Sequence, residues 1–303
     1  MTAARHFLDV TDLSATDLAD VLTLATRPAA DLGRPLEGAG VALIFEKPSN
    51  RTRQSMEMAV FQLGGHPVYT RGDEVGFDSR EPVEDVTRIM AGYHAVLTAR
   101  VFRHEVVTRM AAVSPVPVVN LLSDRSHPLQ ALADVLTMQQ DLGPLRGRTV
   151  AWVGDYNNVA RSLAEACALL GMHVHLACPA GHDAPAEELR RLATLGAASL
   201  EQHADPAVAV KGADAVHTDV WISMGQEAEG AARRAAFAGF TVTDALMAEA
   251  GPQARFLHCL PAHRGDEVTA EVIDGPRSLV IAQGHNRLHS ARGLLAFLAG
   301  ARP

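Results

Sequence analysis

The chain is short of the features that declare many protein classes at sight. Only three of its 303 residues are cysteine, Cys167, Cys178 and Cys259, and no C-x-x-C spacing occurs among them, which argues against a disulfide framework and against a structural zinc site. No run of about 18 apolar residues is present, and the opening MTAARHFLDVTDLS has no apolar core of signal length, so the expectation is a soluble cytoplasmic protein with no membrane partner. Positive charge is in deficit, with 27 basic against 35 acidic residues and a net charge of −8. That balance argues against a nucleic-acid surface and makes any local gathering of arginine informative. Internal repeats and low-complexity segments are missing as well.

What the sequence does contain is alternation of whole elements. Ser14, followed by Leu18, Val21, Leu22 and Ala25 at helical spacing, predicts a capped amphipathic helix, and the apolar run GVALIFE after it has the composition of a strand buried on both faces. From Arg51 onward Met56, Ala59, Val60 and Leu63 recur at helical spacing until Gly64 and Gly65, with Ser49 or Asn50 at the N-cap. The stretches HPVYT, PVEDVTRIMAGY, HAVLTAR, HEVVTRMAAV and VPVVNLL continue the alternation, and SHPLQALADVLTMQQDLGPLRG predicts a long helix ending in Gly and Pro. A second series runs through RTVAWVGD, VHLACP, APAEELRRLATLG, DAVHTDVW, ARFLHCLP and SLVIAQ, then closes on the helix SARGLLAFLAG. Such repeated units predict an α/β protein of two domains, each a mostly parallel sheet flanked by helices, divided near Leu142.

Chemistry-bearing residues gather where the strands end. SNRTR, Ser49 to Arg53, opens a helix directly after a buried strand, where unpaired backbone N–H groups and an arginine fork suit a phosphate; alone, the same residues are ordinary caps with solvated arginines. SHPLQ sets His127 and Gln130 three residues apart on one helical turn, able to face one ligand or merely to cap and pack. GDYNN carries the single glycine Gly154 where a dinucleotide fingerprint requires G-x-G-x-x-G, and offers Asp155, Asn157 and Asn158 as side-chain donors and acceptors instead; alone, the same residues make an ordinary Asx-rich turn. DVWISMG combines Asp219, Ser223 and the backbone at Met224, a set that matches an α-ammonium and an α-carboxylate, although Asp219 alone reads equally as a capping residue. In FLHCLPAHRG, His258 and His263 beside the lone Cys259 make a poor tetrahedral set, so no metal is expected.

Taken in order, SNRTR, SHPLQ, GDYNNV, DVWISMG, HCLPAHRG and NRLH resemble the ornithine carbamoyltransferase family over almost the whole chain. The resemblance implies that residues 1–141, with a C-terminal helix at 286–303 returning to them, bind carbamoyl phosphate, and that residues 142–285 bind L-ornithine, closure of the domains excluding water. It implies a phosphate grip of Ser49, Asn50, Arg51, Thr52 and Arg100, and a carbonyl oxygen stabilised by His127 together with Arg100 and Thr52. Gln130, Cys259, Arg287 and the Leu260 carbonyl complete the carbamoyl site by the same resemblance. Ornithine is implied to lie against Asn158, Asp219, Ser223 and Met224, with Asp219 and Cys259 near its δ-nitrogen and both placed to steer loss of its proton. Citrulline and phosphate then form without cofactor or metal, in arginine biosynthesis or, in reverse, in its catabolism. A homotrimer or an assembly of trimers is implied too. Three positions depart from the usual family pattern: Asn50 where Thr is usual, Glu74 where some members have Gln, and His285 where an acid is common.

Overall fold

A computed structural model describes residues 4–222 and 227–303. The chain forms two compact units, Met1–Ala133 with His285–Pro303, and Asp134–Gly284. The helix Pro128–Leu142 carries the chain across the first division and the helix Val280–Leu298 across the second.

The first unit is built on β1 (Gly40–Phe45), β2 (His66–Arg71), β3 (Val96–Arg100) and β4 (Val118–Leu122), in the order β2-β1-β3-β4 with every pair parallel. All of β1 after Gly40 is buried, which is why it reads as a continuous apolar run instead of an alternating one, and all of β3 is buried too, with Thr98 and Arg100 as its polar members. Ala42, Ile44, Leu97 and Ala99 pack with Val106, Val107 and Met110 of the helix His104–Val113. Each of the Ile, Leu, Val and Met side chains here, removed from water, contributes roughly 1.5–3 kcal/mol, and each alanine less, before the entropy of ordering it is charged against it. The C-terminal helix docks here: Gly293 lies so near the helix Ala15–Thr26 that an added Cβ would stand 2.7 Å from Val21 O and Ala25 N. Arg292 secures the same contact, donating to Gln62 Oε1 at 2.8 Å and to the Arg27 carbonyl at 2.7 Å.

The second unit holds β5 (Thr149–Val153), β6 (His173–Ala177), β7 (Ser199–His203), β8 (Ala215–Thr218) and β9 (Arg255–His258), again all parallel, in the order β7-β6-β5-β8-β9. Its core joins Ala151, Val153 and Val216 of the sheet to Trp221, Phe237, Phe240 and Met247. The turn after β5 requires glycine, because Gly154 has φ 137°. Beside it the Thr218 hydroxyl donates to the Val153 carbonyl at 2.6 Å, tying β8 to β5 at their carboxyl ends.

The last helix and one edge strand depart from the sequence reading. SLVIAQ forms no strand; Val280 opens the last helix, which runs to Leu298. In the first half of that helix the buried face is carried mostly by polar Gln283, Asn286, Arg287 and Ser290, so the 3.6-residue period there is invisible to a hydrophobic pattern. β7, SLEQH, also escapes that pattern because it is an edge strand, paired only with β6 and nowhere fully buried.

In both sheets the connections reverse direction once, between β1 and β3 in the first and between β5 and β8 in the second. At such reversals the loops leaving adjacent strand ends diverge and open a crevice, where ligands of open α/β sheets bind.

Candidate active site

The first unit's crevice gathers positive charge. Ser49 caps the helix Asn50–Gln62, its Oγ accepting from Thr52 N at 3.4 Å and donating to Thr52 Oγ1 at 3.0 Å. Thr52 is only 2% exposed. Arg287, brought in by the last helix, donates to Thr52 Oγ1 at 3.2 Å and makes a short hydrogen bond to Gln130 Oε1. Arg100 closes β3, buried, and Arg51 stands on the first turn of the capped helix. The turn before His127 is fixed by Ser126 N donating to Ser123 Oγ at 3.2 Å and Ser123 N donating to the Ser126 carbonyl at 2.9 Å.

His127 reports the field of this crevice. Burial first, and then the nearby charges of Arg287, Arg100 and Arg51, hold its pKa well below the ordinary histidine value. The ring is therefore neutral near pH 7, an N–H donor among guanidinium groups. Arg53, the second arginine of SNRTR, turns away, pairing with Glu57 at 2.8 Å and lying 3.8 Å over the Tyr69 ring. Asn50 is exposed at the first helical position, Glu74 accepts from Arg71 N at 3.1 Å, and His285 is exposed on the last helix.

The second unit's crevice has the opposite character. Asp219, just past β8 and 8% exposed, accepts from Cys259 Sγ on one carboxylate oxygen at 2.9 Å and from Asn157 Nδ2 on the other at 2.9 Å. Asn157 is thus an amide in contact with Asp219, and Asn158 is the first residue of the helix Asn158–Leu169. Ser223 and Met224 lie outside the described residues.

Behind Cys259, Leu260 N donates to His258 Nδ1 at 2.9 Å, and His258 Nε2 meets the buried Glu267 at 3.2 Å. Since Nδ1 accepts, the ring proton sits on Nε2 and points at Glu267. Burial pushes the Glu267 carboxyl up, but hydrogen bonds from His258 and from His263 N more than offset it and hold it below the usual carboxylate range. Leu260 is kept at φ 58° by this support. Asp219, His258 and Cys259 bring one potential metal-ligand atom each within 4.8 Å of one another. Both nitrogens of His258 are already engaged, however, and the three donors found among the described residues fall one short of a structural tetrahedral set.

Comparison with known proteins fits both halves. The family model described as the carbamoyl-P binding domain of aspartate/ornithine carbamoyltransferase matches residues 5–140, and the one described as the Asp/Orn binding domain matches residues 146–298. The chain belongs to the aspartate/ornithine carbamoyltransferase family. Within this family it is 50% identical to an ornithine carbamoyltransferase of Acidothermus cellulolyticus, over 98% of this chain and 97% of the relative. Its structure is similar to the ornithine carbamoyltransferase of Pyrococcus furiosus, with a TM-score of 0.93 at 41% identity over 99% of each chain. That of Thermus thermophilus gives a TM-score of 0.89 at 43% identity, covering 98% of this chain and 99% of the other. Membership in a carbamoyltransferase family accounts for a cationic crevice and an acidic one in the same chain. One contact that sequence reasoning misses is Asn157 with Asp219; the only signal for it is the pair of asparagines after a strand.

Proposed function

We propose that this chain transfers the carbamoyl group of carbamoyl phosphate to the δ-amine of L-ornithine, giving L-citrulline and phosphate. The observation that carries the proposal is the cluster of Arg51, Arg100 and Arg287 around a neutral, buried His127 in one unit, together with the Asp219, Cys259 and Asn157 cluster in the other.

In this reading the phosphate rests on the backbone N–H groups at the start of the helix Asn50–Gln62, with Ser49, Thr52, Arg51 and Arg100 supplying donors. The δ-nitrogen of ornithine attacks the carbonyl carbon with its lone pair, and charge grows on the carbonyl oxygen. His127, Arg100 and Thr52 stabilise that charge with donors set in place before the reaction. Because His127 is neutral, it serves by hydrogen bonding instead of as a proton source. Gln130, Arg287 and the Leu260 carbonyl orient the carbamoyl NH2, with Cys259 beside it. The tetrahedral intermediate then breaks its bond to the phosphate oxygen, phosphate leaves with the electron pair, and the extra proton on the attacking nitrogen passes to that phosphate. Only a neutral amine can attack, so Asp219 and Cys259 act on the ammonium form, binding it and steering loss of its proton. Asn158, Ser223 and the Met224 backbone hold the α-groups, which is what separates ornithine from putrescine.

The assembly we propose is a homotrimer or a set of trimers, formed through the first unit. Met58, Phe61, Ile89, Tyr93 and Phe102, all large and exposed, lie in that unit, whereas Val208 and Ile281 are their counterparts in the other. Among the described residues no helix is long and apolar enough to cross a membrane. A cytoplasmic setting suits Cys167, Cys178 and Cys259, which are thiols and not disulfides.

The test offers carbamoyl phosphate with ornithine, putrescine, aspartate or N-acetylornithine in parallel and measures ureido product and phosphate. Ornithine should be turned over in preference to the other three; absence of citrulline refutes the proposal. Sedimentation velocity checks the assembly, and a monomer at micromolar concentration refutes that part alone.

A further inference from the structure

Asn157 belongs to neither substrate in the reading above, yet its side chain ties the start of a helix to Asp219. Its Oδ1 accepts from Val159 N at 2.9 Å and Ala160 N at 3.0 Å, capping the helix Asn158–Leu169. With the oxygen committed to two backbone donors, the orientation of the amide is settled, and Nδ2 is left to face Asp219 Oδ2 at 2.9 Å. The Asn157 backbone is pinned as well, its N–H donating to the Asp155 carbonyl at 2.8 Å. On the other side of Asp219, Oδ1 receives Cys259 Sγ at 2.9 Å. The carboxylate is therefore held between groups that follow β5 and β9, while it follows β8 itself.

We propose that Asn157 is a positioning residue for the ornithine half of the reaction. It aims the Asp219 carboxylate by using a helix cap as a rigid mount, so that Asp219 meets the substrate nitrogen without first having to be ordered. Asn158, next along the chain, stays on the substrate side of the division. The inference rests on the reading that Asp219 serves ornithine.

Asn157→Ser separates the two roles. Serine caps a helix about as well as asparagine, so the thermal unfolding midpoint should stay within about 3 °C of the wild type. A hydroxyl committed to the cap is too short to reach Asp219 as well. Loss of a hydrogen bond to a charged group at this site should lower kcat/KM for ornithine by about 10- to 100-fold, with KM for carbamoyl phosphate changed less than about threefold. Asn157→Asp, which also caps but sets a second carboxylate against Asp219, should lose at least as much. A purely structural cap predicts wild-type kinetics for both variants, and that result overturns the proposal, as does an equal loss for both substrates. A crystal structure of Asn157→Ser gives a readout independent of turnover: the Asp219 carboxylate should leave its contact with Cys259. If the wild-type chain makes no citrulline, the proposed function fails, and an unmoved Asp219 in that crystal structure separately sinks the positioning role.

Discussion

The two units share a topology and differ in charge. Each is a parallel sheet whose strand order reverses once, and each sets its polar residues at the carboxyl ends of the two strands that flank the reversal. In the first unit those ends carry Arg51 and Arg100, joined by Arg287 and a histidine kept neutral by burial and by the arginines themselves. In the second they carry Asp219 and Asn157, joined by Cys259. The fold thus supplies the crevice, and the few residues at the strand ends decide whether it takes an anion or a cation.

The comparison is tested most severely by removing a charge from each side. Arg51→Ala should lower kcat/KM for carbamoyl phosphate by about a thousandfold or more, since it strips a preorganised donor from a buried, electropositive site. Asp219→Asn should cost about a hundredfold in kcat/KM for ornithine, because a neutral amide cannot pair with an ammonium, while calorimetric binding of carbamoyl phosphate changes less than about twofold. If either variant damages the use of both substrates equally, the division into an anion half and a cation half is wrong.

Much of this division is legible in the amino-acid sequence, for a physical reason. Strands buried on both faces leave apolar-rich runs, nearly unbroken in β1 and β5 and shorter in β3, β8 and β9, and the turns that end them are polar, so these strands announce both themselves and the residues that follow them. Contacts far apart in sequence are not legible. Nothing local links Arg287 to Thr52 across 235 positions or Asn157 to Asp219 across 62. The start of the last helix escapes a hydrophobic reading because Gln283, Asn286 and Arg287 fill its buried face. Polar residues there disguise the helical period, and Arg287 among them belongs to the candidate site.

Acidification should separate the units by a smaller amount. His6, His94, His127 and His289, all in the first unit, have pKa values lowered, with burial the leading cause in each. A histidine depressed in the folded state takes up its proton first in the unfolded chain, so the stability it contributes is full above the unfolded pKa and is lost as pH falls toward the folded one. For the buried His127 alone that loss can reach about 1.4 kcal/mol per pH unit below about pH 6.5. Hydrogen exchange, corrected for intrinsic rates and followed from pH 7.5 to 5, should show protection lost first in β1 to β4. Earlier loss in β5 to β9 would reverse the assignment of where the acid-sensitive groups act.

The smallest effect concerns two asparagines that each stand at the start of a helix. Asn157 uses its side chain on both the helix and Asp219, whereas Asn50 is exposed at the first helical position and is one residue beyond the cap. What Asn50 can offer a phosphate from that position is chiefly its backbone N–H, which any residue except proline retains. Asn50→Thr should therefore change kcat/KM for carbamoyl phosphate by less than about threefold and leave ornithine kinetics alone, since Ser49 still supplies the cap. A tenfold or larger loss, measured by steady-state kinetics with carbamoyl phosphate varied, would mean that the amide itself grips the phosphate. The first crevice would then depend on a side-chain amide as the second does, and arginine and backbone alone would no longer account for its anion site.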